Sequence, residues 1–297
     1  MSPALRYNAA TNLSGEDTHM KLKALATVAC IVVSGAMTTA SLAAPPPTVG
    51  GSWADGALAT AVRSITRSPQ FVARDQYRHP RESLSFWGLR PGMTILEIWP
   101  SGGYWTEILA PYAKATNGRY IAAVASADHP LNARFNNTAL YGTISTTVFN
   151  EKSPPLTAPG TVDFLLTARN IHDWPATQGM TEKAFADFYA ALKPGGILAV
   201  EEHRSDPRPM VKDASDGYMS TASVVKLAQD AGFKLEAQSE INANPKDTKD
   251  HPFGVWTLPP TRQSAPEGQP ANPKFDHAKY DAIGESDRMT LRFRKPG

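Results

Sequence analysis

The chain has 297 residues, with 30 Lys+Arg against 28 Asp+Glu and a formal net charge of +2. That balance leaves no clustered basic surplus for phosphate backbones, so no nucleic-acid partner is expected. A hydrophobic share of 41% with 20% charged residues excludes a disordered chain, and the length suits one large α/β domain or two small ones.

Residues 1–19 are polar and mixed. From Met20 the pattern changes: Lys21 and Lys23 precede an apolar run, Ala24 to Met37, too short to span a bilayer. Small residues follow, ending Ser41-Leu42-Ala43, and Pro45, Pro46 and Pro47 then block a helix. We read Met20 as the start, 1–43 as an N-terminal extension plus signal peptide, and the periplasm as the destination. A lipoprotein anchor at Cys30 fits less well, because Thr27-Val28-Ala29-Cys30 lies inside the apolar run rather than at its end. An uncleaved anchor helix is disfavoured by length. Cys30 is the only cysteine, so the mature protein has none and makes neither disulfides nor thiolate metal sites. No later apolar run is long enough to cross a membrane, so no stable insertion is expected after cleavage.

Residues 44–51 form a Pro/Gly-rich linker, and 52–297 read as a single domain. Trp53 to Ile65 is mildly amphipathic, Arg67 to Pro80 is dense in charges and rings, and Arg81 to Gly88 reads as a short helix ended by glycine. Strands are expected at Thr94–Ile98, Arg119–Val124, Thr143–Phe149, Val162–Thr167, Gly196–Val200, Phe233–Ala237 and Met289–Phe293. Helices are expected from Thr106 to Tyr112, from Asn132 to Leu140, from Thr181 to Leu192, and from an N-cap at Ser220 to Gly232. The alternation implies a mostly parallel sheet with helices on both faces, binding ligands beyond the strand carboxyl ends. Residues 242–287 form a long polar insertion between the last two strands, a pattern shared by lids and disordered loops.

The segment Leu96-Glu97-Ile98-Trp99-Pro100-Ser101-Gly102-Gly103-Tyr104-Trp105-Thr106 ends a strand on an acid and runs through a Gly-Gly turn into a helix. Paired glycines admit close backbone approach, and free amides at a helix start can bind a carboxylate. An ordinary tight turn reads the same way; placement after the first strand favours a ligand loop. Val162-Asp163-Phe164-Leu165-Leu166 and Leu192-Lys193-Pro194-Gly195-Gly196-Ile197-Leu198-Ala199-Val200 fit the same scheme.

In order and spacing these three stretches resemble the class I S-adenosyl-L-methionine (SAM)-dependent methyltransferases, where they are the cofactor loop, the fourth strand and the turn into the fifth. Six further segments resemble a bacterial group of exported predicted methyltransferases. They are Arg74-Asp75-Gln76-Tyr77-Arg78-His79-Pro80, Glu97-Ile98-Trp99-Pro100, Arg169-Asn170-Ile171-His172-Asp173-Trp174, Asn244-Pro245-Lys246-Asp247-Thr248, Gly254 to Pro260 and Gly284 to Met289. The resemblance implies a Rossmann-like, seven-stranded, mostly parallel sheet and SAM as cofactor. The expected cofactor contacts are Glu97, Trp99, Pro100, Gly102, Gly103, Tyr104, Asp128 and Arg169. Two departures stand out. Trp99 and Ser101 occupy the first two glycine positions of the family's loop, where Trp99 either reshapes the pocket or stacks on a ligand ring. The second strand reaches no acid until Asp128, a substitute ribose ligand or a solvent-facing loop residue.

Arg169-Asn170-Ile171-His172-Asp173-Trp174 follows the fourth strand, so Asn170, His172 and Asp173 are the candidate catalytic residues. His172 titrates near neutrality and suits a general base; Asp173 can take that role, with Trp174 walling the pocket. Equally, Asp173 caps a helix and Trp174 packs in the core. In Glu201-Glu202-His203-Arg204 the adjacent carboxylates point to opposite faces, so one alone serves the crevice, while His203 shares a face with Glu201. Arg74 to His79 reads as a lid or as a charged helix end. Asp247, Asp250 and His251 have no recognised ligand spacing and read as a solvated loop, so no metal is expected. Three functions follow: methyl transfer to a small-molecule substrate through an oxygen or nitrogen, ligand binding by a silent methyltransferase fold, and metal-dependent hydrolysis at His172 and His203. The first is preferred; the pattern specifies no oligomeric state.

Overall fold

The computed structural model describes residues 56–129 and 131–297. The expected signal peptide, the expected linker and the start of the helix expected from Trp53 lie outside the described residues. Four short helices come first: α1 (Gly56–Val62), α2 (Pro69–Val72), α3 (Asp75–Arg78) and α4 (Pro80–Trp87). Then follow β1 (Thr94–Ile98), α5 (Thr106–Ala115), β2 (Arg119–Val124), α6 (Leu131–Arg134), α7 (Thr138–Tyr141), β3 (Ile144–Val148) and β4 (Val162–Ala168). A 3-10 helix over Ile171–Ala176 leads to α8 (Met180–Ala191) and β5 (Leu192–His203). Beyond a second 3-10 turn at Lys212–Ala214 lie α9 (Thr221–Asp230), β6 (Lys234–Ser239), β7 (Pro252–Val255), α10 (Ala278–Ile283) and β8 (Arg288–Arg294).

Seven strands form one sheet in the order β3-β2-β1-β4-β5-β8-β6. The first five are parallel, and β8 runs antiparallel to both β5 and β6. This is the seven-stranded, mostly parallel α/β sheet that the alternation implies. Chain order reverses between β1 and β4, which opens a switch-point crevice beyond their carboxyl ends. The central strands are buried on both faces, so they read as unbroken apolar runs. Leu96 and Ile98 join one core with Phe149, Trp174, Phe185 and Phe188. Ile95 joins the other with Trp87, Tyr104, Trp105 and Leu109.

Three elements differ from expectation. The helix expected from Asn132 to Leu140 is two separate turns, because Asn137 leaves the helical region and caps α7, its side chain accepting from the Leu140 amide. The Pro-Gly-Gly turn lies inside β5 as an irregularity, with Gly195 at φ +76° and a register shift opposite Val162 and Phe164. The insertion carries β7 and α10 and is tied down by buried Asp247. That carboxylate accepts from Tyr218 Oη, the ring of His251 and the amides of Lys249 and Asp287. Asp247 and His251 are therefore not in a solvated loop, whereas Asp250 is exposed. No helix among the described residues is long and apolar enough to cross a membrane.

Candidate active site

The glycine loop is folded as a tight, strained turn. Trp99 (φ 42°), Ser101 (φ 50°) and Gly103 (φ 90°) all take left-handed conformations, two of them at non-glycine positions. Gly103 has to be glycine: a Cβ there would lie 2.3 Å from the Phe135 ring. Pro100 is buried and its carbonyl accepts the Gly103 amide at 2.8 Å. Gly102 is exposed at the tip, and its carbonyl accepts from Arg134.

The structure redirects several side chains expected at the cofactor. Glu97 is buried and faces inward, where its carboxylate accepts from Tyr120 Oη at 2.5 Å and Thr106 Oγ1 at 3.2 Å. Alternation along β1 places it on the Ile95 face, under α5, so it orders the loop from below. Burial pushes its carboxyl up to about 7. Trp99 packs edge-on against Trp174 at 6.0 Å and tilted against Phe149 at 6.1 Å, and its Nε1 donates to the Phe149 carbonyl at 2.8 Å. Trp174 is wholly buried in the same aromatic box, so it is core, not pocket wall. Tyr104 turns its hydroxyl to Asp75 at 2.7 Å. Asp128 is exposed on a loop. Asn170, expected to be catalytic, is buried and donates to the Ile98 carbonyl at 2.8 Å, stitching β4 to β1 across the switch point.

Beyond the ends of β4 and β5 a second set of groups converges. Strand alternation sends Glu201 and Glu202 to opposite faces, as the sequence implies. Glu202 Oε2 accepts from the amides of Ile171 (2.6 Å) and His172 (3.4 Å). Its Oε1 accepts from the His203 amide at 2.8 Å and faces His172 Nδ1 at 2.8 Å. A carboxylate fixed by backbone amides holds the proton of His172 on Nδ1, leaving Nε2 as the acceptor nitrogen. Nε2 lies 3.4 Å from Asp173 Oδ1. Burial opposes the imidazolium, but Glu202 and Asp173 overcome it and raise the His172 pKa. The His203 ring stands 5.0 Å from that of His172 and its Nδ1 is 2.5 Å from Ser286 Oγ. Burial, then the neighbouring His172 and arginines, lowers the His203 pKa. Donor atoms of His172, Glu202 and His203 lie within 4.8 Å of one another, a separation one cation could bridge. Glu202, however, already meets four N–H groups.

His172, Asp173 and His203 line a cavity of about 140 Å³ together with Arg169, Trp256 and Ser286. Asp173 and Trp256 also line a groove of about 1040 Å³ under the 252–271 stretch. An ion cluster reaches the cavity wall through Glu285. Glu285 accepts from Arg74 Nε at 2.5 Å and Arg78 Nε at 3.0 Å. Arg288 pairs with Glu201 at 2.6 Å and with Glu285 at 3.1 Å. Burial would raise the Glu285 carboxyl, but Arg78, Arg288 and Arg74 hold it well below the ordinary carboxylate range. Burial and the nearby Arg169 lower Arg78 to about 9. Sequence reasoning gave no role to Trp256, Glu285, Ser286 or Arg288, although the segments containing them carry part of the resemblance.

The donor set decides whether SAM fits. Its carboxylate needs cationic N–H groups without partners. Arg78 is wholly buried with both Nη atoms unpaired, as is Arg74 Nη2, and the Arg78 guanidinium lies 4.5 Å over the ring of Tyr104 in the loop. At that end the residues carry the cationic donors such a carboxylate needs, while of the acids expected from sequence Glu97 is turned to Tyr120 and Thr106 and Asp128 is exposed.

No protein-family model and no curated protein matches the chain. Among solved structures it is similar to a SAM-dependent methyltransferase from Aquifex aeolicus, at 21% identity and TM-score 0.46, over 57% of this chain and 87% of that one. It is similar to an S-adenosylmethionine-dependent methyltransferase from Mesorhizobium loti, at 12% identity and TM-score 0.44, over 72% and 96% of the two chains. The 4+2 cyclase SpnF is another similar structure, at 14% identity and TM-score 0.48, over 74% and 80%. Such likeness concerns the course of the chain, and one course serves more than one chemistry.

Proposed function

We propose that the protein transfers the methyl group of SAM to an oxygen or nitrogen of a small-molecule acceptor. The observation that carries this reading is the Glu202–His172 pair, whose histidine lines a cavity at the carboxyl ends of the parallel strands with Nε2 beside Asp173. SAM supplies an electrophilic methyl group. The unpaired Nη atoms of Arg78 and Arg74 would hold its carboxylate. His172 Nε2 takes the acceptor's proton, and Glu202, anchored by backbone amides, stabilises the imidazolium that results. A cavity of about 140 Å³ is smaller than the roughly 300 Å³ of the smallest ligand pockets. The acceptor therefore places its reacting end in the cavity and its remainder in the adjoining groove. Trp256 lines both, 5.9 Å from the His172 ring.

Calorimetric titration of SAM and S-adenosylhomocysteine into the folded protein tests this. Saturable binding, weakened at least tenfold by Arg78→Gln, is the expected result; no binding overturns it. A second reading, ligand binding without methyl transfer, is supported by the covered loop, where Phe135 fills the space over Gly103 and Trp99 is held in the aromatic box. It predicts no SAM binding even after Phe135→Ala. We also propose a periplasmic location, supported by Lys21, Lys23, the apolar run and Ser41-Leu42-Ala43; recovery only in the cytoplasmic fraction would refute it.

A further inference from the structure

We infer that the acceptor is an anion, a carboxylate or a phosphate ester, whose charged group is bound by Arg169. This deepens the proposed function and rests on it. Arg169 lines the cavity three residues before His172. Its backbone is fixed in the left-handed region at φ 62°, with its amide donating to the Glu201 carbonyl at 2.7 Å. A bulky residue adopts that conformation at a cost, and the surrounding structure enforces it.

Among the described residues the guanidinium so placed forms no ion pair. Its Nε is buried without a hydrogen-bond partner. Of the carboxylates nearest it, Glu285 is shared by Arg74, Arg78 and Arg288, and Glu201 pairs with Arg288 through Oε1 while its Oε2 makes no hydrogen bond. Arg74, Arg78, Arg169 and Arg288 thus enclose two carboxylates, a local surplus of positive charge. Buried charge without a partner is costly, and a site that retains it gains when an anion enters. Planar forks of N–H groups match carboxylate and phosphate oxygens. Burial lowers the Arg169 pKa, against the opposing pull of Glu201 and Glu285.

Two molecules could bring an anion: SAM through its carboxylate, or the acceptor. Position favours the acceptor. Arg78 lies over Tyr104 of the glycine loop, whereas Arg169 shares its cavity with the base that takes the acceptor's proton. Ser286 and His203 beside it offer further polar contacts.

The test is titration of benzoate, of inorganic phosphate and, separately, of S-adenosylhomocysteine into the full chain and into Arg169→Gln and Arg169→Lys. The expected result is single-site binding of at least one of the two anions, weakened tenfold or more by Arg169→Gln and less by Arg169→Lys. S-adenosylhomocysteine affinity should change less than twofold. Arg169→Gln should fold at least as stably as the parent, because it removes an unpaired cation; a Tm lowered in both variants would contradict that. Failure of both anions to bind, or binding indifferent to Arg169→Gln, overturns the inference. A parallel loss of S-adenosylhomocysteine affinity overturns it too, assigning the guanidinium to the cofactor. Anion binding at Arg169 without any S-adenosylhomocysteine binding sinks methyl transfer instead and leaves the anion site standing.

Discussion

Replacing Glu97 by glutamine separates two roles for the acid that ends β1. A side chain that served the cofactor would face the cleft; this one is 2% exposed and bonded to Tyr120 and Thr106. Burial raises its carboxyl from the ordinary 4.5 to about 7, against the lowering effect of those two hydroxyls. At about 1.4 kcal/mol for each tenfold change in proton affinity, ionising it in the fold costs about 3 kcal/mol. The sign follows from proton counting. Between 4.5 and about 7 the folded protein holds a proton that the unfolded chain has released, so this group makes stability fall as pH rises. Below that window both states are protonated, and above it both are ionised. Glutamine has no such dependence and can still accept from Tyr120 and Thr106 through its carbonyl. Urea unfolding of parent and Glu97→Gln, from about pH 5 to pH 8, should therefore show the variant gaining on the parent by about 3 kcal/mol. The offset at any one pH does not matter; the change across the window does. A difference constant with pH would refute the burial argument. A tenfold loss of SAM affinity in the variant would return Glu97 to the cofactor.

Glu202→Gln should lower the pKa of His172, because Glu202 is what overcomes burial and raises it; NMR titration of the ring measures this. Methyl transfer needs neutral His172, so its rate should climb through a limb above 6.5 in the parent and through a lower one in the variant. A limb that stays in place removes Glu202 as the positioning residue. Gly103→Ala should cost about 1–3 kcal/mol, from the added methyl meeting Phe135 and from the left-handed backbone, and Phe135→Ala added to it should recover part in urea unfolding. Glu285→Gln should cost about 3–5 kcal/mol at neutral pH, since it leaves Arg74 and Arg78 uncompensated and Arg288 with Glu201 alone. The folded carboxyl lies below its ordinary 4.5, so its contribution is complete above that pH and is lost as pH falls further. Parent and variant should accordingly converge in acid, and a penalty unchanged at low pH would show that packing rather than charge is responsible.

The sheet was legible because its strands leave local signals. Thr94–Ile98 and Arg119–Val124 match the observed bounds, since strands buried on both faces read as short apolar runs between turn residues. Ser220 caps α9 as expected, accepting from the Ser223 amide at 3.1 Å. The site was legible only where one segment supplies it. His172 could be singled out by its place after β4, and alternation separated Glu201 from Glu202. Nothing local assigned Glu202 to His172, 30 residues away. Nor could spacing show that Glu97 points under the helix rather than into the cleft, because both fit a strand ending in an acid.

The ion cluster shows why this limit is physical. Arg74 meets Glu285 across 211 positions of sequence, and Arg288 reaches Glu201 only because β8 pairs with β5 in a register that sets Arg288 opposite His203. A slip of one residue in that pairing would turn Arg288 to the other face and leave Glu201 buried without its cation. The same register places Ser286 and Glu285 at the cavity, one turn of chain before β8 begins. The long insertion is thus anchored at both ends by what the site requires, Asp247 fixing the amide of Asp287 and Arg288 fixing the strand. Residues 74–78 close the other side through the same Glu285. The acid–base chemistry proposed at His172 and the charge recognition proposed at Arg169 therefore rest on a cluster that exists only once residues 74–78 and the start of β8 have met, which a glycine loop by itself does not demand.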